Sequence, residues 1–67
     1  MGSDSPHLVK YKRLVDDEVI VFALTNEEAI QIAKENLDNI VMVTKVESSY
    51  DAIDDARERY VQEIRDY

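Results

Sequence analysis

Glu18-Val19-Ile20-Val21-Phe22-Ala23-Leu24, followed by Thr25-Asn26-Glu27-Glu28-Ala29-Ile30-Gln31-Ile32-Ala33, decides the fold. In the first stretch Ile20, Phe22 and Leu24 point one way, and Val19, Val21 and Ala23 the other. A strand apolar on both sides is one with both faces covered. At Thr25 the period changes. Thr25-x-x-Glu28 is a capping box, in which the hydroxyl takes an amide of the first turn and the carboxylate reaches back to the cap amide. Glu27 and Glu28 suit the positive end of the helix dipole. Ala29, Ile30, Ile32, Ala33 and Leu37 then make an apolar stripe at helical spacing, and Asn36, Asp38 and Asn39 mark the exit.

Outward from this unit, residues 8–15 read as a first strand, with Val9, Tyr11 and Leu14 as its strand formers. Asp16-Asp17 is expected to turn the hairpin. Residues 1–7 are expected to be a flexible leader, with His7 an exposed terminal side chain, and residues 8–67 one small domain. Residues 40–47 read as a third strand, with Ile40, Met42 and Val46 on one side and Val41 and Val43 on the other. Ser48-x-x-Asp51 has the form of a second capping box, opening a helix that runs to about residue 66. Tyr50, Ile53, Ala56, Tyr60, Val61, Ile64 and Tyr67 fall on one stripe of that helix.

The expected fold class is therefore α+β, in the order ββαβα, with a three-stranded antiparallel sheet of order 2-1-3 and the first helix on one face. The second apolar face needs its own cover. The C-terminal amphipathic helix is expected to supply it, folded back within the chain or swapped in a dimer.

The chain has 67 residues and a net charge of −7, from 15 acids against 8 bases, with no cysteine. That length excludes a two-lobed enzyme or a dinucleotide fold. The acidity argues against a direct nucleic-acid ligand and against an anionic membrane. No signal peptide or long apolar run is present, so the expected compartment is the cytoplasm. No catalytic triad, phosphate loop, zinc spacing or dinucleotide fingerprint occurs, so the chain is expected not to be an enzyme and to need no cofactor or metal.

What remains is binding chemistry. Asp51, Asp54, Asp55 and Glu58 line one face of the last helix, spaced so that like charges sit side by side. Such a stripe imitates phosphates and can block a basic groove on a partner, or simply keep the outer face solvated. Tyr60 and Tyr67 bring large contact area at low entropy cost, the profile of an interface residue. Lys10, Lys12, Arg13 and Lys45 gather on one strand pair if the order 2-1-3 holds, making a small basic spot on an acidic body.

Ala23-x-Thr25-x-Glu27-Glu28-Ala29-Ile30-x-Ile32-Ala33 together with Val43-Thr44-Lys45-Val46 resembles the small ββαβ inhibitors of bacterial RNA polymerase made by short-tailed coliphages. Those proteins have a matching Ala-x-Thr-x-acid-Glu-Ala segment and a Val-Thr-Arg-Val third strand. The resemblance covers about a third of the 67 residues. It implies a protein that docks on a host enzyme, with Lys45 standing where the family has a polymerase-contacting arginine. Glu47 reverses the sign of the family's next basic position, and residues 50–66 have no counterpart in it. The partner-binding residues expected from both lines of reading are Arg13, Lys45, Asp51, Asp54, Asp55, Glu58, Tyr60 and Tyr67. The partner is a host protein such as RNA polymerase. The alternative is a self-associating accessory module that dimerises through its last helix.

Overall fold

A computed structural model of the chain describes residues 4–37 and 40–65. Its elements are β1 (Ser5–Lys12), β2 (Asp16–Ala23), α1 (Asn26–Asn36), β3 (Met42–Glu47), α2 (Tyr50–Glu58) and β4 (Glu63–Arg65). They form a mixed α+β fold around one four-stranded sheet of order β3-β1-β2-β4. β1 pairs antiparallel with both β2 and β3, as expected, so the order 2-1-3 stands within the larger sheet. β4 adds a parallel neighbour to β2, which corrects the expectation of three strands, all antiparallel.

The two helices lie on opposite faces, and connection geometry explains why. β2-α1-β3 and β3-α2-β4 both join parallel strands, but they cross the sheet in opposite directions. Crossovers of one hand then require helices on opposite sides. α1 packs Ala29, Ile32 and Ala33 on Val9, Tyr11, Val19, Val21 and Ala23. α2 packs Ile53 and Ala56 on Leu8 and Ile20, with Phe22 and Val61 alongside. The doubly apolar strand read at residues 18–24 thus has its two covers, the second from the C-terminal helix of the same chain.

Five boundaries differ from the sequence reading. Ser5, Pro6 and His7 belong to β1, where His7 is only 4% exposed. Its Nδ1 donates to the Ser5 carbonyl oxygen at 2.8 Å. Pro6 is tolerated because β3 reaches only as far as Leu8, opposite Glu47. Lys10 and Lys12 turn their carbonyls towards β3, as their bonds to the Thr44 hydroxyl and the Val41 amide show. Pro6 has the same parity, so its missing N–H falls where there is no ladder to lose.

The hairpin turns at residues 13–15, and Asp16 and Asp17 are inside β2. Register accounts for the shift. It sets Val9 opposite Val19 and matches Lys10 with Glu18 and Lys12 with Asp16, leaving Leu14 and Val15 at the tip. β3 begins two residues later than read, at Met42.

The helix cap at residue 49 and the helix end at residue 58 are the other two. Ser49 is the N-cap, its hydroxyl accepting from the Ala52 amide at 3.3 Å, rather than Ser48. α2 stops at Glu58, far short of residue 66, because Tyr60 takes a left-handed conformation at φ 59°. The Tyr60 amide donates to the Arg57 carbonyl and the Val61 amide to the Ala56 carbonyl, at 3.0 and 3.2 Å. These are the paired bonds of a Schellman stop, and Val61 packs against the cluster that contains Ala56. The freed chain then runs beside β2, where the Ile20 amide donates to the Gln62 carbonyl at 2.8 Å.

Candidate functional site

α2 is two-sided. Ile53 and Ala56 are buried against the sheet, while Asp51, Asp54, Asp55 and Glu58 are all exposed. Asp55 is tied down. It accepts from Arg59, whose guanidinium also donates to Glu18 Oε1 on β2 at 2.7 and 2.9 Å. Hydrogen bonds to Glu18 first, then to Asp55, hold Arg59 still more firmly in its charged form. Asp51, Asp54 and Glu58 make no ion pair among the described residues, so their charge faces outward uncompensated.

Tyr60 stands at the end of this helix, 94% exposed, in the left-handed region where glycine is the normal occupant. A tyrosine there costs about 1 kcal/mol against glycine. Its ring is too exposed to return that through burial. Tyr67 lies outside the described residues. Tyr60 and Ile64 do not share a helical stripe, because the helix has ended; Ile64 sits in β4 and packs on the α1 side of the sheet.

The basic residues divide into two places. Arg13 stays on its own hairpin, with its guanidinium 3.5 Å from Asp17, 3.4 Å from the Tyr11 hydroxyl and 5.5 Å from that ring's centre. Burial first, and then the Asp17 charge, push the Tyr11 hydroxyl above its usual pKa. Lys45 lies directly across from Lys10 on β3, as the strand order requires. Glu47 sits between them, 3.2 Å from Lys45 Nζ and 3.4 Å from Lys10 Nζ. Its bonds to Lys45 first and to Lys10 second hold its carboxyl below the usual range. The structure thus brings Lys10 and Lys45 together and leaves Arg13 apart from them. The four helix acids form a separate surface.

Two apolar features were not read from the sequence. The hairpin tip and the approach to β3 meet in an open cleft lined by Arg13, Leu14, Val15, Asp17, Ile40 and Val41. Leu14 is 99% exposed there. A groove also runs between α1 and β3, past Ile30, Lys34, Leu37 and Val43. The available signals were Leu14-Val15 beside a turn and Val41-Met42 beside a helix exit; both look like ordinary strand ends in sequence.

Among the described residues no cluster of three or more acids or histidines is placed to hold a metal ion. No helix among them is long and apolar enough to cross a membrane. Comparisons with protein-family models, with curated proteins and with solved structures return no match to this chain.

Proposed function

We propose that this chain acts by binding another protein, docking the acidic side of α2 on a basic surface of a nucleic-acid enzyme and so inhibiting or modulating it. The observation that carries this reading is the two-sided α2. Its inward residues complete the core, while Asp51, Asp54 and Glu58 project outward without partners among the described residues. Among the described residues none of those three acids makes an ion pair that holds the fold. Although Asp51 suits the positive end of the helix dipole, the crowding of Asp54 and Glu58 is left for a partner to offset. Exposed Tyr60 adjoins them as an aromatic anchor of the kind that dominates interfaces. The likeness of residues 23–33 and 43–46 to the phage inhibitors supports bacterial RNA polymerase as the first target to try. In that case the protein works in the cytoplasm of a bacterial host. Self-association through α2 is not the reading favoured, because the sheet already covers Ile53 and Ala56.

The test is recovery of partners from bacterial lysate on the tagged protein, at low and at high salt. A stoichiometric nucleic-acid enzyme that is released as salt rises is the expected result. Capture that ignores salt, or a partner with an acidic binding surface, contradicts the helix as the docking face.

A further inference from the structure

β3 lies at one edge of the sheet, and among the described residues no strand flanks its outer side. Its six residues present about 20 Å of edge. Alternate N–H and C=O groups on such an edge point away from the neighbouring strand and can template another. Beside the edge runs the groove floored by Ile30, Lys34 and Leu37 of the α1 region, with Ile40 and Val43 on its other wall. The register of β3 on β1 shifts at Thr44, a one-residue bulge, so Val43 and Val46 both turn towards the α1 side. An added strand would set alternate side chains over that groove on each side of the bulge.

Charge says what kind of strand. The chain has four lysines, Lys10, Lys12, Lys34 and Lys45. All four lie along this edge. Lys45 is on β3, and Lys10 and Lys12 stand opposite Lys45 and Met42 on β1. Lys34 lines the groove. Glu47 is the one acid of β3, and it is shared between Lys10 and Lys45. Lys12 and Lys34 make no ion pair among the described residues. On a body of net charge −7 this gathers all four lysines towards the β3 edge, with Glu18 and Asp16 across from Lys10 and Lys12 on the far side of β1.

We infer that β3 is a strand-addition site for an extended segment of a partner protein in which apolar and acidic residues alternate. The apolar set enters the α1–β3 groove and the acidic set meets Lys12 and Lys45. Main-chain bonds supply affinity and the alternation supplies specificity. A second copy of this chain fits less well, since pairing β3 with itself brings two lysine margins together. The inference rests on the protein-binding reading but uses a surface other than the acidic helix, so the two can fail separately.

The probe is an end-capped eight-residue peptide alternating valine and glutamate, titrated into the isotope-labelled full chain and followed by NMR. The expected result is slowed amide exchange within Met42–Glu47 and shifts at Ile30 and Lys34. A valine–lysine peptide should not bind. The valine–glutamate peptide methylated on alternate backbone nitrogens should lose binding, a control that leaves the protein untouched. Lys12→Glu with Lys45→Glu should weaken binding by about tenfold or more, which is about 1.4 kcal/mol. Asp54→Lys with Glu58→Lys, which tests the helix reading, should leave the peptide affinity unchanged. No shift at millimolar peptide, shifts centred on α2, or equal binding of the methylated or lysine peptide would overturn the inference. So would the same shifts appearing on concentrating the protein alone, which would identify a second copy as the occupant.

Discussion

The two faces of the sheet are unequally covered. On the α1 side the apolar positions run the length of the central strands, from Ala23 through Val21 and Val19 to Tyr11, and α1 closes over them with Ala29, Ile32 and Ala33. On the α2 side they stop halfway. Leu8 and Ile20 lie under Ile53 and Ala56, but the next positions are Lys10 and Lys12 on β1 and Glu18 and Asp16 on β2. α2 ends where the apolar surface ends, and Arg59 bridges Glu18 and Asp55 at that boundary. One face is therefore mainly foundation. The other divides between a thin core and a charged half that the fold does not need to bury.

That asymmetry can be broken first at its thin layer. Ile20 is fully buried, and Ile20→Ala is expected to cost about 2–5 kcal/mol in urea unfolding. Ile53→Ala should sharpen the contrast. Amide exchange should quicken across α2 and β4 while α1 stays protected, as for a low-stability unit. Equal loosening of α1 would show one cooperative unit instead.

The caps come next. Thr25 Oγ1 accepts from the Glu28 amide at 3.1 Å, and Thr25→Ala should cost about 1 kcal/mol. Ser49→Ala should cost less, given its longer bond. At the other end of α2, Tyr60→Gly should raise stability by up to about 1 kcal/mol by relieving the left-handed tyrosine. A lower melting temperature would instead assign the ring a structural contact.

Smallest are the effects of pH on the charged half. The Glu47 carboxyl is depressed in the folded chain by Lys45 and Lys10. Its contribution is thus present above the usual carboxylate range and lost as pH falls through the depressed value. Glu47→Gln should match the wild type at low pH and fall below it towards neutrality. At the alkaline end the sign reverses. The raised Tyr11 hydroxyl contributes below its usual pKa, and stability is lost as pH rises through the folded value. Tyr11→Phe should flatten that limb of the stability curve.

Much of this architecture is legible in sequence where one local signal suffices. Thr25-x-x-Glu28 locates α1, and the double alternation at residues 18–24 demands two covers. The strand order follows, and with it the pairing of Lys10 and Lys45. The helix acids are exposed as their spacing indicates. What stayed hidden depends on tertiary partners. Tyr60 stops α2 although nothing in tyrosine favours a left-handed residue, so the stripe from Tyr50 to Tyr67 reads as a longer helix than the nine residues that form. β4 is three residues long and is a strand only because β2 lies beside it. His7 looks like part of a frayed end until Val21 stands opposite it. The α1–β3 groove joins residues too far apart in sequence for any local pattern to link them.

We propose that the inward side of α2 serves the fold and the outward side serves a partner. The most direct measurement pairs urea stability with binding to bacterial RNA polymerase, for the wild type and for Asp54→Lys with Glu58→Lys. Stability within about 0.5 kcal/mol of the wild type is expected, together with loss of a salt-sensitive complex. A variant that binds the enzyme as tightly as the wild type would contradict it, as would a wild type with no affinity for any nucleic-acid enzyme in the lysate.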